Sequence, residues 1–208
     1  KSIAQLEDGK TLFVTGAVPG DLVEVVILKN KKNYAEGKVL NILEYSKDRV
    51  TPFCEHFGVC GGCKWQMLPY EKQLEYKQQQ VQDQLKRLGN IELPPLQPII
   101  GSERQRFYRN KLEFTFCDQP YLTRAEIDAS EGLEIKRTPV LGFHAPGMFD
   151  KVVDINFCHL QDEPTNKIKN LVREMALAQN FEFYSPRKQE GWLRNMIIRV
   201  STTQEVMV

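Results

Sequence analysis

Cys54-Glu55-His56-Phe57-Gly58-Val59-Cys60-Gly61-Gly62-Cys63-Lys64-Trp65 is a Cys-x5-Cys-x2-Cys run that places three of the chain's five cysteines within ten positions. An odd cysteine count with this crowding does not fit a disulfide framework, whereas thiolates at such spacing are the ligands of zinc or of an iron–sulfur cluster. Structural zinc sites pair two Cys-x2–4-Cys or His knuckles, and only Cys60 and Cys63 form a close pair here, which favours iron–sulfur over zinc. Gly58, Gly61 and Gly62 let the backbone wrap closely enough for amide N–H groups to point at sulfur. The triplet needs a fourth ligand. Cys117, inside a β alternation, and Cys158, after the apolar run Val152-Val153-Asp154-Ile155-Asn156-Phe157, are the two cysteine candidates; Cys117 reads more readily as a small buried side chain. His56 and His159 flank the site and read as supporting or surface groups.

Outward from this loop the chain is rich in strands on both sides. Before it, Thr11–Val14, Leu22–Leu28 and 37–43 are short apolar runs punctuated by Pro19-Gly20-Asp21, the patterning of a small barrel. Residues 29–49 hold six bases against three acids, a local net charge of +3 that includes Lys31 and Lys32, with Tyr34 and Tyr45 interleaved. After the loop, Leu74, Val81, Leu85 and Leu88 recur at helical spacing between Pro69 and Gly89, predicting a one-sided helix over about 69–88. Lys111–Cys117, 140–143, 152–157 and 193–200 then read as strands. A second helix is predicted over 164–179, with Ile168, Leu171, Val172 and Met175 inward and Asp162 capping it. Residues 124–137 read as a loop, and Trp65 and Trp192 as core anchors. The fold class is therefore mainly β with two helices, α+β.

Composition agrees with a folded chain: 41% hydrophobic and 26% charged residues lie far from the regime of disorder. With 28 basic and 27 acidic side chains no global field draws the chain to nucleic acid or membrane, so any such surface is local. Residues 101–114 supply one: Arg104, Arg106, Arg109 and Lys111 against Glu103 and Glu113, with Phe107 and Tyr108 between them, suit contact with unstacked RNA bases. No apolar run spans a bilayer and no secretory layout opens the chain, so a cytoplasmic monomer is expected. The absence of an initial methionine and the apolar close at Val206-Met207-Val208 read as a piece of a longer protein.

The loop Cys54-x5-Cys60-Gly61-Gly62-Cys63-x-Trp65-Gln66 with Tyr70-x4-Leu74-x2-Lys77 resembles the 23S rRNA (uracil-5-)-methyltransferase family. So do Val14-x-Gly16-Ala17-Val18-Pro19-Gly20-Asp21-Leu22-Val23, Phe107-Tyr108-Arg109-Asn110-Lys111-Leu112-Glu113-Phe114, Leu141-Gly142-Phe143-His144, Val152-Val153-Asp154-Ile155-x2-Cys158-x-Leu160 and Gly191-Trp192-Leu193-Arg194-Asn195, in the family's order. The resemblance implies an OB-like, five-stranded, RNA-binding TRAM barrel at 1–50. It implies a central iron–sulfur domain at 51–208, with a cluster loop at 51–66 and a β-rich part from about 105. It also implies a [4Fe-4S] cluster on Cys54, Cys60, Cys63 and Cys158, with zinc the alternative metal. In the family a cysteine thiolate adds to C6 of a uracil, C5 attacks the methyl group of S-adenosylmethionine, and a base removes the C5 proton. The Rossmann-like domain that does this has no counterpart in these 208 residues, which lack a glycine-rich cofactor turn. The implied activity of the parent is RNA uracil-5-methylation on ribosomal RNA, with this portion alone inactive and not binding S-adenosylmethionine. The alternative is a stand-alone RNA-binding module with a structural iron–sulfur or zinc site.

Overall fold

In the computed structural model, which describes residues 1–131, 133, 135 and 137–208, the chain forms two compact units. The first comprises 1–52 and 65–101; the second comprises 53–64 and 102–208.

In the first unit, Leu12 and Val14 alternate inward on β2 (Thr11–Thr15) and meet Ala35 in a small core, with Leu6, Ala17, Val25 and Val39 against it. β1 (Ser2–Gln5) lies antiparallel to β2, β2 parallel to β4 (Tyr34–Glu44), and β3 (Leu22–Asn30) antiparallel to β4. The order β1-β2-β4-β3 is that of an open four-stranded sheet with β1 and β3 at its edges, rather than the five-stranded barrel expected. Most of the expected strand content is carried by one long, irregular β3–β4 hairpin, and no strand follows Glu44 in residues 45–52.

The turn before β3 is organised by one carboxylate. Asp21 accepts from the Val18 N–H at 2.7 Å, the Ser46 N–H at 2.9 Å, and Arg49 Nε and Nη2 at 3.1 and 2.6 Å, while Arg49 Nη2 also donates to Gly16 O at 3.0 Å. The Asp21 side chain is fully buried. Burial alone would raise its pKa, but Arg49 and the Ser46 and Val18 amides outweigh it and hold the carboxyl below its usual range. Gly20 sits at φ +92°, with Ser46 Oγ 2.9 Å from where a Cβ would stand.

α1 (Tyr70–Arg87) falls within the expected 69–88, with Pro69 as N-cap rather than in the first turn and Leu88, not Gly89, as C-cap. None of its residues is buried; the Gln73 amide ties its first turn to the Trp65 and Leu68 carbonyls at 3.1 and 2.8 Å.

The second unit is built on an antiparallel sheet of order β7-β6-β5-β8-β9: β5 (Lys111–Cys117), β6 (Val140–His144), β7 (Val152–Asp154), β8 (Asn195–Val200) and β9 (Val206–Met207). Leu112, Phe114 and Phe116 of β5 and Met196, Ile198 and Val200 of β8 face one core. A helix the sequence reading missed, α2 (Arg124–Ala129), stands where a loop was expected. Thr123 and Glu126 cap it reciprocally, Thr123 Oγ1 accepting from the Glu126 N–H and Glu126 Oε2 from the Thr123 N–H. Gly132, Glu134 and Lys136 of the expected loop lie outside the described residues. Trp192 is 79% exposed, stacked on Phe181 rather than anchoring a core. No described helix is long and apolar enough to cross a membrane.

α3 (Thr165–Ala178) departs most from the sequence reading. Its N-cap is Pro164, without a side-chain cap; Asp162 accepts from Glu163 instead. Leu171 and Met175, expected inward, are 56% and 50% exposed, while Thr165, Asn166, Lys169 and Ala176 are buried. Ile168 and Val172 do pack against the core. The face turned inward carries Asn166, Lys169, Asn170 and Arg173, spaced i, i+3, i+4, i+7, and each grips the stretch after β6. Asn166 Oδ1 accepts from the Cys158 N–H at 2.7 Å and its amide donates to Cys158 O at 3.2 Å; Lys169 Nζ donates to Ile155 O; the Asn170 amide donates to Asn156 O at 3.2 Å; Arg173 pairs with Asp154.

Two outcomes follow from this packing. Asp21→Asn lowers the stability of the first unit by about 2 kcal/mol at pH 7, the scale of charge-assisted hydrogen bonds. Because the native carboxyl titrates below its unfolded value of about 3.9, that contribution is present above about pH 4 and is lost as pH falls further, so the wild-type and variant urea midpoints converge toward pH 3. Asn166→Ala leaves the buried Cys158 peptide without partners and costs about 1–3 kcal/mol. Cys158 should then react with a thiol reagent faster than in the wild type, as mapped by mass spectrometry.

Candidate metal centre and nucleic-acid interface

Residues 53–64 have no regular secondary structure and are shaped by tight turns: the Phe57 N–H donates to Cys54 O at 3.0 Å and the Cys60 N–H to His56 O at 2.9 Å. Two contacts fix this loop on its own unit. The Gly61 N–H donates to His144 O at 3.2 Å, an approach so close that a Cβ at Gly61 would stand 2.8 Å from the same oxygen. His56 Nε2 accepts from the Asn156 N–H at 3.1 Å, which commits that lone pair and ties His56 to the segment that leads to Cys158.

These contacts bring the predicted cysteines together. Cys158 is buried in the sheet core, and Cys60 and Cys63 pack against that same core beside Val59. Burial first, with the nearby Cys60, Cys63 and Cys54 adding to it and a hydrogen bond from the Leu160 backbone opposing it, pushes the Cys158 thiol up to about 11. Cys60 is likewise raised by burial and by Cys63 and Cys54, opposed by the Gly62 N–H that donates to its Sγ at 3.3 Å. Cys54 is raised by burial and by Cys63. Neighbouring cysteines thus add to burial in raising Cys54, Cys60 and Cys158. No disulfide joins them. Among the described residues no three His, Cys, Asp or Glu side chains are drawn together as tightly as in a formed metal site. The residue types present, three cysteines in one loop with a backbone N–H on the Cys60 sulfur and Cys158 in the core they pack against, are those that ligate metals.

Cys117 is elsewhere. It is fully buried with Val140 and Val152, its Sγ donating to the Gln119 and Asp150 carbonyls at 3.6 Å, and burial pushes its thiol up. It packs as the inert side chain expected.

Arg104, Arg106, Arg109 and Lys111 lie on one exposed segment leading into β5. Arg106 stacks over the Phe53 ring at 3.9 Å, and Lys111 Nζ lies 3.8 Å from Glu113. The Arg109 N–H donates to Leu160 O at 2.8 Å, so this segment runs beside the residues that follow Cys158. Lys31 and Lys32 occupy the exposed β3–β4 turn of the first unit, closed by the Lys31 N–H on Tyr34 O at 2.8 Å. The residues the sequence reading missed are Asn166, Lys169, Asn170 and Arg173. Their signal was a polar stripe at helical spacing, which a search for apolar periodicity passes over.

Residues 1–40 match the TRAM domain family. The whole chain is 49% identical to an uncharacterized RNA methyltransferase of Bacteroides thetaiotaomicron, covering 45% of it. It is 45% identical over 97% of its length to one of Porphyromonas gingivalis, covering 44%, and 40% identical over its full length to one of Chlorobaculum tepidum, covering 43%. In structure it resembles a Pyrococcus abyssi tRNA (uracil-54, C5)-methyltransferase solved with S-adenosyl-L-homocysteine, with a TM-score of 0.62 and 24% identity over 98% of this chain and 43% of that one. The chain spans a little under half the length of the curated relatives it matches. Over the part it spans, the chain is related along its whole length to proteins named RNA methyltransferases, and its first 40 residues match the TRAM domain family.

Proposed function

We propose that this chain is the RNA-binding, iron–sulfur-bearing portion of an S-adenosylmethionine-dependent RNA methyltransferase that acts on C5 of a uridine, with 23S rRNA as substrate. The observation that carries the reading is end-to-end relatedness to proteins named RNA methyltransferases, joined to a TRAM match at the N-terminus. A fold shared with a uracil-C5 methyltransferase supports the reaction class. Because that neighbour is named for transfer RNA, the fold does not discriminate between RNA classes; the ribosomal substrate rests on the sequence resemblance.

In this reading residues 1–50 are the RNA-binding TRAM segment and 51–208 the central iron–sulfur domain. Cys54, Cys60, Cys63 and Cys158 would hold a [4Fe-4S] cluster, whose contribution when bound is a cross-link rather than electron transfer. Methylation of a uracil needs no electron. Lys31, Lys32, Arg104, Arg106, Arg109 and Lys111 neutralise phosphates and hold the RNA. Extracting a uridine from its stack costs a few kcal/mol, and binding by these residues offsets it. No residue of this chain is given a catalytic role, and the chain alone neither binds S-adenosylmethionine nor methylates RNA.

The test is metal and sulfide analysis of chain purified without oxygen. About four irons and four sulfides per chain, with brown absorbance lost in Cys158→Ser and kept in Cys117→Ser, is the expected result; one zinc and no iron would replace the cluster by a zinc staple. RNA affinity should fall linearly on a log–log plot against salt, and the Lys31→Gln/Lys32→Gln variant should reduce that slope by up to about 2. A flat salt response would remove the RNA-binding reading.

A further inference from the structure

Four rings of the second unit meet around His159. Phe53 and Phe157 lie edge-on to it at 5.2 and 4.8 Å between centroids, Phe107 tilts against it at 6.1 Å, and Phe107 and Phe157 are edge-to-face at 6.4 Å. This cluster is not core. Phe53 is 38% exposed, Phe157 37%, and the neighbouring Tyr108 55%. Phe107 adopts a left-handed backbone, φ +55°, which is costly for a bulky residue. The backbone enforces it: the Phe107 and Arg109 N–H groups donate to the His159 and Leu160 carbonyls at 2.9 and 2.8 Å. A strained residue is thus held so that its ring joins a half-exposed aromatic patch.

The segment that supplies Phe107 is net basic, with Arg104, Arg106 and Arg109 against Glu103, and Glu55 faces His159 from the cysteine loop. Arg104, Arg106 and Arg109 are all exposed, and Arg106 already lies flat over one ring of the cluster at 3.9 Å. Aromatic faces left partly in water beside guanidinium groups suit a partner that offers flat π-surfaces and negative charge together. Unpaired nucleotides have both, whereas a duplex hides its bases and a peptide seldom combines the two.

We infer that Phe53, Phe107, Phe157 and His159, with Arg104, Arg106 and Arg109 around them, form a stacking site for unpaired RNA nucleotides. The inference rests on the RNA-binding reading above and adds to it the single-stranded form of the ligand and the rings that take it.

The experiment compares two probes of equal length on the 208-residue chain: a single-stranded uridine-rich RNA carrying one 2-aminopurine, and a blunt RNA duplex. Stacking predicts quenching of the 2-aminopurine on binding. Phe107→Leu/Phe157→Leu keeps apolar volume and removes two rings; it should weaken single-strand binding about tenfold or more, the scale of lost base stacking, and leave duplex binding unchanged. Arg106→Gln, at an exposed position over the Phe53 ring, should lower the single-strand salt slope by about one. If the wild type binds neither probe, the RNA-binding reading fails and this inference fails with it. If it binds the single strand without quenching, or the double variant loses both probes equally or neither, the stacking site is overturned while the RNA-binding reading stands.

Discussion

The stretch from Asp154 to Cys158 has to be held without a sheet, and the second unit is arranged around that need. β7 stops at Asp154, three residues from its start, so the peptide groups of Ile155, Asn156 and Cys158 leave the ladder while still inside or beside the core. Buried backbone polar groups must find partners. α3 supplies them from side chains: Asn166 brackets both sides of the Cys158 peptide, Asn170 takes the Asn156 carbonyl, and Lys169 reaches Ile155. From the other side, His56 takes the Asn156 N–H. Putting a fully buried lysine in this position is expensive. Burial first, then Arg173, lowers Lys169 to about 8, so near neutral pH the fold carries a desolvated cation whose partner is a carbonyl. The compensation is positional: the thiol that must meet the loop is fixed in place by its own backbone.

The same need explains what was legible in the sequence. β5 could be read because Leu112, Phe114 and Phe116 alternate against a single core, and its predicted limits are those observed. The Cys54–Cys63 triplet was legible because its chemistry is local in sequence. The orientation of α3 was not, since apolar periodicity assumes that a helix buries its greasy face, and here the inward face carries the hydrogen-bonding groups a broken strand requires. α2 was hidden for the opposite reason: its segment is nearly apolar-free, so only the Thr123–Glu126 capping pair announced it. The choice of Cys158 over Cys117 did not follow from spacing; it came with the family resemblance, and in the fold Cys60 and Cys63 pack against the core that contains Cys158 while Cys117 lies in a separate cluster.

The first unit solves its problem by other means. Its buried core is three residues, Leu12, Val14 and Ala35, too small to specify the sheet edges by itself. The Asp21 network adds what packing lacks, joining the β2–β3 turn to the chain beyond β4 through four donors on one buried carboxylate. That Pro-Gly-Asp segment read as punctuation in the sequence; in the fold the turn from Gly16 to Asp21 is tied to Arg49, 28 positions beyond Asp21.

A metal tie is well suited to the second unit on the same reasoning. The cysteine loop touches its support through few directional contacts, chiefly Gly61 to His144 and His56 to Asn156, and it must be joined to a residue 95 positions beyond Cys63. Closing a loop of that length costs conformational entropy on the order of 4 kcal/mol, comparable to the free energy of a small domain. Two hydrogen bonds at about 1 kcal/mol each do not offset it; the packing of Val59, Cys60 and Cys63 on the core adds to them, and in the proposed reading a metal centre would add binding free energy released only when the segments are together. The tie also reaches past the sulfurs. Phe53 precedes Cys54, and Phe157 and His159 flank Cys158, so the rings that share contacts at His159 belong to the two segments the thiols would join. In the proposed reading, a cross-link that contributes no electron to the reaction would thus still decide whether the aromatic and arginine surface beside it is assembled.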